Sequence, residues 1–150
     1  METKIINSGK LNASKALILL HGRGSNASDI LSLAHHLNVK DFALYAPEAP
    51  HGSWYPQSFL AKPTDNEPWL SASLKLVDKT VAKIIKDGIS RENIYFAGFS
   101  QGACLVAEYT SRHATKYGGI AIFTGGLIGD QIYEENYVGN FEGTPIFIGS

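Results

Sequence analysis

Gly98-Phe99-Ser100-Gln101-Gly102 decides the reading of this chain. The stretch has the form G-x-S-x-G. It follows a short apolar run, Ile94-Tyr95-Phe96-Ala97, and opens a helical pattern from Gln101 to Ala114. Strand, tight turn and helix in that order lift a serine above the edge of a sheet. Flanking glycines let the backbone turn without Cβ clashes. The helix that starts there aims its free N–H groups at the same spot, where negative charge could develop.

A second stretch has the same construction. Ala16-Leu17-Ile18-Leu19-Leu20 reads as a buried parallel strand and runs into His21-Gly22-Arg23-Gly24. An apolar strand ending in His-Gly-x-Gly is the oxyanion-loop signal of α/β-hydrolases. Its glycines leave a backbone N–H free to point into a site. The competing reading is a dinucleotide-binding module. Gly22, Gly24 and Ala27 fit G-x-G-x-x-A, with Glu48 spaced to hold a ribose. That fingerprint needs a helix opening inside the motif. Here Ser25-Asn26-Ala27-Ser28-Asp29 prolongs the loop, Ser28 is the expected N-cap, and Ser100 is left unexplained.

From these two anchors the order of elements follows. Lys4–Ser8 is a weak strand, and Asp29–Leu37 an amphipathic helix. Phe42–Ala46 is a strand ended by Pro47. A proline-rich loop runs from Pro47 to Glu67 and carries Trp54, Tyr55 and Phe59. Loops that long inside a domain are usually functional or disordered. Trp69–Lys86 is a long helix with Leu70, Leu74, Val77, Val81, Ile84 and Ile85 on one face. Gly119–Phe123 is the next strand. Thr124–Gly143 is a connection with one helical turn, and Thr144–Ile148 a further strand. Strands alternating with helices predict an α/β fold, a mostly parallel sheet with helices on both faces. Loops 21–28, 47–67, 99–101 and 124–143 all follow strands. They gather at the carboxyl edge, where such sheets bind ligands.

Composition excludes several classes. The 150 residues suit one domain, and 44% apolar with 18% charged residues describes an ordinary globule. A formal charge of −1 without a Lys/Arg cluster argues against nucleic acid as a partner. No apolar run reaches the roughly 20 residues of a transmembrane segment, and Met1-Glu2-Thr3-Lys4 opens no signal peptide. One cysteine fits a reducing compartment, hence a cytoplasmic expectation, and makes the triplets Asn12-Ala13-Ser14 and Asn26-Ala27-Ser28 noise rather than glycan acceptors.

The chain resembles the phospholipase/carboxylesterase family of α/β-hydrolases, relatives of the acyl-protein thioesterases. The stretches that carry the resemblance are Leu19–Gly24, Ala46-Pro47-Glu48-Ala49-Pro50, Ser53-Trp54-Tyr55, Gly98–Cys104 and Gly125-Gly126-Leu127-Ile128-Gly129. Gly143–Gly149 is similar to the strand that precedes the family's catalytic aspartate. The resemblance implies that Ser100 is the nucleophile and that the N–H groups of Arg23 and Gln101 are the oxyanion donors. By the same resemblance His21, Gly22 and Gly24 shape the oxyanion loop. Trp54 and Tyr55, aromatics of the long loop, are candidates to line the substrate's acyl pocket. It also implies an aspartate beyond Thr144–Ile148 and a histidine later still. No histidine follows His113.

A serine hydrolase needs a base and an orienting acid. His113 is 13 residues past Ser100, about 20 Å of helix. His35 and His36 sit on the flank of their helix, and His51 belongs to the long loop. The expectation is therefore a C-terminally truncated α/β-hydrolase domain over residues 1–150. It is a serine carboxylic-ester hydrolase by ancestry, without its base and acid. Its substrate is a small-molecule ester or thioester with an apolar acyl group. A homodimer or a complementing C-terminal polypeptide would complete it. The alternatives are an inactive hydrolase-like remnant that binds an acyl ligand or partner, and the dinucleotide module. Cys104 reads as a small buried helix residue. Asp130, Glu134, Glu135 and Glu142 are too dispersed for a metal, and no cofactor is implied.

Overall fold

The computed structural model describes residues 4–150, so Met1-Glu2-Thr3 of the opening stretch lies outside the described residues. The chain builds one six-stranded sheet. The strands are β1 (Lys4–Gly9), β2 (Lys15–Leu20), β3 (Phe42–Glu48), β4 (Ile94–Phe99), β5 (Gly119–Phe123) and β6 (Ile146–Gly149). Their spatial order is β1-β3-β2-β4-β5-β6. Only β1 runs antiparallel, against β3; the other ladders are parallel. The helices are α1 (Ala27–Leu33), α2 (Trp69–Lys86) and α3 (Gln101–Arg112).

The apolar periodicities sort the layers. Ala16, Ile18 and Leu20 of β2 and Phe96 of β4 face a core shared with α2 and α3. Leu17 and Leu19 face the opposite core under α1, with Ala46 and Ala97. That double burial is why β2 is apolar without alternation. Helix α3 is buried from Gln101 to Thr110. On α2 the buried stripe is Leu70, Ser73, Leu74, Leu76, Val77, Thr80, Val81 and Ile84. Ile85, expected on that stripe, is 40% exposed. Leu76 is buried as well, so the buried arc of α2 is wider than the apolar seam read from the sequence.

Several boundaries move. Helix α1 starts at Ala27 and ends at Leu33, followed by a 3-10 turn over Ala34–His36, not one helix Asp29–Leu37. Its N-cap is Asn26, whose side-chain oxygen accepts from Asp29 N–H at 2.9 Å, not Ser28. The β3 strand runs through Pro47 to Glu48. Pro47 stands opposite Ile5 of β1 and lies past the last β2–β3 pair, Ile18 with Tyr45, so no bond to β2 is lost with its N–H. Helix α3 stops at Arg112, and β6 begins at Ile146 because Pro145 precedes it. The expected turn in the 124–143 connection lies at Glu134–Asn136.

Candidate active site

The serine turn is strained at the serine itself. Ser100 adopts φ 52 and ψ −116 between β4 and α3. This lies outside the regions ordinary residues populate and costs on the order of 1–3 kcal/mol. The turn is held by Ser100 N–H donating to Phe123 O and by Cys104 N–H donating to Ser100 O, each 3.0 Å. Ser100 remains exposed.

The glycines around it serve a different purpose from the one expected. Neither Gly98 nor Gly102 has positive φ. They are needed because three backbones meet there. A Cβ on Gly98 would lie 2.5 Å from Gly102 O, and one on Gly102 would overlap Leu20 O and stand 2.5 Å from His21 O. The close approach docks α3 against the end of β2 and sets the two glycine-rich stretches side by side. A Cβ on Gly22 would lie 3.3 Å from Phe99 O and 3.6 Å from Ser100 Cβ. The 21–24 loop thus borders the serine.

Gln101 opens α3, where the first N–H groups have no intrahelical acceptor. Gly24 N–H donates to Gly52 O at 2.8 Å and Ser25 N–H to Gly22 O at 3.1 Å. These bonds fix the loop on either side of the Arg23 amide.

His21 is fully buried. Its Nε2 accepts from Ala49 N–H at 3.1 Å, so Nδ1 carries the proton and donates to Gly22 O at 2.8 Å. Both ring nitrogens are committed to shaping the loop. The Arg23 side chain is engaged within the chain. Its guanidinium donates to Ser53 Oγ, Tyr55 O, Pro56 O and Gln57 O at 2.8–3.1 Å. It clamps the long loop onto the short one.

Gln101 completes that clamp. Its Oε1 accepts from Trp54 N–H at 2.9 Å, and its Nε2 donates to Tyr55 O at 2.8 Å. The residue after the serine thus anchors the long loop through its side chain.

Trp54 and Tyr55 do not open onto the serine as an acyl wall. Each is 1% exposed. Trp54 stacks on His21 at 4.9 Å, and its Nε1–H donates to His21 O at 2.8 Å. Ser73 Oγ of α2 donates to Trp54 O at 2.6 Å. The main-chain bonds of this segment pull both rings inward, so the two residues support the loop from beneath.

The dinucleotide reading fails on Glu48. Its Oε1 accepts from Ala27 N–H at 3.0 Å, and its Oε2 pairs with Lys4 at 3.6 Å. A carboxylate thus fills the N-terminus of α1, where a pyrophosphate would sit.

Glu108 was missed by the sequence reading. It is fully buried on α3 and accepts from Ile128 N–H, Tyr137 O–H and Arg112 Nε–H at 2.6–2.9 Å. It ties the 124–143 connection to the serine helix. The signal was present: a glutamate four residues before an arginine in an otherwise apolar helix. Cys104 is buried, and burial pushes its thiol up, so it is no rival nucleophile at neutral pH.

The other histidines lie elsewhere. His35 and His36 are exposed on their 3-10 turn. His113 stacks on Tyr109 at 4.5 Å at the far end of α3. His51 is exposed in the turn after β3, with φ 56. Among the described residues there is no metal-holding cluster, and no helix is long and apolar enough to cross a membrane.

Comparison with known proteins agrees with this architecture. The phospholipase/carboxylesterase family profile matches residues 1–149. Acyl-protein thioesterase 1 of Saccharomyces cerevisiae is 31% identical over 157 aligned residues, covering 91% of this chain and 69% of that protein. The enzyme of the same name from Kluyveromyces lactis is 30% identical, covering 75% of this chain and 57% of its own length. A crystal structure of a phospholipase/carboxylesterase from Dyadobacter fermentans superimposes with TM-score 0.97 at 53% identity. It covers 98% of this chain and 71% of that one. This chain thus spans between about half and about seven tenths of the proteins it resembles. With the strand–serine–helix turn, the adjoining glycine loop and a family match along almost its whole length, the chain belongs to the phospholipase/carboxylesterase family.

Proposed function

We propose that Ser100 is the nucleophile of a carboxylic-ester hydrolase. It attacks the carbonyl of an ester or thioester with an apolar acyl group. In this reading the Ser100 Oγ–C bond forms as its proton passes to a base. The oxyanion receives hydrogen bonds from the N–H groups of Gln101 and Arg23. The tetrahedral species then expels the alcohol or thiol, which takes that proton. Water attacks the acyl-serine with the same help, releasing the acid and regenerating Ser100. Each preorganised donor contributes about 3 kcal/mol in the transition state. His21, Gly22 and Gly24 hold the loop that presents the Arg23 amide. The observation that carries the reading is the strained, exposed Ser100 beside Gly22.

In this proposal neither His21 nor His113 serves as the base. Both nitrogens of His21 are occupied, and His113 is at the other end of α3. A second polypeptide or a second copy of this chain would supply the base and the acid. The single cysteine supports a reducing, cytoplasmic setting.

The test is fluorophosphonate labelling of the native polypeptide, with the adduct mapped by peptide mass. The expected outcome is an adduct on Ser100. The isolated 150-residue chain keeps only the residual catalysis of oxyanion hole and binding, about 10³–10⁴-fold over water. Absence of the Ser100 adduct from the native species overturns the assignment. Fast, Ser100-dependent turnover of p-nitrophenyl esters by the isolated chain overturns the missing base, with His51 the first replacement to examine.

A further inference from the structure

Apart from the serine junction, the loop that follows β3 and helix α2 enclose a groove of about 370 Å³. Its volume is that of a small-molecule site. Its walls are mostly apolar: Pro50, Trp54, Pro68, Trp69, Ala72 and Leu76. Trp69 is 50% exposed at the mouth, a large ring left half in water. The groove is distinct from the serine junction, yet Trp54 belongs to both. Its ring stacks on His21, and its N–H is held by Gln101.

Charge selects the occupant. Lys75 and Lys79 line the groove one helical turn apart, and neither is in an ion pair among the described residues. Glu48, the acidic residue of the lining, is already taken by the Ala27 amide and Lys4. Asp78, between the lysines in sequence, accepts from Tyr109 O–H at 2.8 Å and is not part of the lining. An apolar trough with two uncommitted ammonium groups fits a molecule with an apolar body and one anionic end.

We propose that this groove binds a linear-chain carboxylate, its chain against Pro68, Trp69 and Ala72 and its carboxylate at Lys75 and Lys79. The choice of a carboxylate among amphipathic anions rests on the ester-hydrolase reading, because such an acid is what ester hydrolysis would release. Binding itself needs no hydrolysis.

The experiment titrates the 150-residue chain with decanoate and follows tryptophan fluorescence, with decanol as the neutral analogue. Saturable binding is expected, unchanged in Ser100→Ala. Lys75→Gln with Lys79→Gln weakens decanoate about tenfold and leaves decanol unchanged, as loss of two exposed ion pairs would. Ala72→Phe fills the trough and weakens both ligands about tenfold or more. The lysine variant changes only exposed side chains, so a folding failure of Ala72→Phe leaves the test intact. Decanoate affinity indifferent to the two lysines, or lost in Ser100→Ala, overturns the proposal. Groove binding without any Ser100 adduct on the native polypeptide overturns only the hydrolase reading.

Discussion

Strands β2 and β6 are both apolar, and both lie in parallel ladders, but their surroundings differ. Ala16–Leu20 are all buried, whereas Ile146, Phe147 and Ile148 are 43%, 56% and 69% exposed. β2 has β3 and β4 on its two sides and a packed layer on each face. Among the described residues β6 pairs with β5 alone, and Phe147 extends a row of aromatics whose inner members, Phe123 at 5.5 Å and Phe99 beyond it, are half-buried. Apolar composition shows that a strand's surface favours burial; it does not show what buries it. The serine turn belongs almost wholly to the covered half. It rests on β4, α3 and the end of β2, and is linked toward the edge through Phe123 O and the Thr124 N–H to Gly149 O bond.

The contrast predicts where the molecule is brittle. Gly102→Val should have the largest effect. Its side chain would be driven into Leu20 O and His21 O, at a cost above about 3 kcal/mol. Loss of a cooperative thermal transition is the readout; a near-normal Tm would mean that β2 and α3 can separate without harm. Glu108→Ala should cost about 3 kcal/mol, because it strands the Ile128 amide, the Tyr137 hydroxyl and Arg112. Urea unfolding measures it, and Glu108→Gln should recover part of the loss.

Alkaline pH tests the same half without mutation. Burial pushes the Tyr117 hydroxyl up to about 12. The unfolded chain ionises at about 10. The tyrosine's contribution is therefore fully present below pH 10 and is lost as pH rises through 12. Absorbance at 295 nm should show a late phenol transition that merges with unfolding. Ionisation of every tyrosine near 10 while the fold persists would contradict the packing around Tyr117.

Two smaller effects belong to less constrained places. Asn26→Ala removes the α1 cap and should cost about 1 kcal/mol in urea unfolding. Phe147→Lys on the bare edge should change stability by less than about 0.5 kcal/mol. It should nonetheless reduce self-association of the isolated chain, read by sedimentation velocity. If Phe147→Lys proved as damaging as Gly102→Val, the division between covered centre and bare edge would be wrong.

Much of this was legible before any coordinates. The strand–turn–helix around Ser100 was marked by local chemistry, since a G-x-S-x-G between an apolar run and a helical pattern has few other uses. Helix α2 declared itself by its stripe. The end of α1 did not, because Asn26 and Ser28 are both competent caps and only the turn at Gly22–Ser25 chose between them. The roles of Trp54, Tyr55 and Arg23 were hidden for one reason. Each is set by hydrogen bonds to residues more than 30 positions away, and sequence spacing carries no information about such distances.

By itself the sequence determined the alternation of strands and helices, the exposed serine and the glycine loop, because these depend on periodicity and on turn chemistry within a few residues. Tertiary structure decided the rest. It made Gly98 and Gly102 spacers between crossing backbones rather than hinges. It turned a loop tryptophan into a buried post, an exposed arginine into a clamp and a helix glutamate into the anchor of a distant loop. Those roles follow from which polar groups are taken from water together, and only the packed fold settles that.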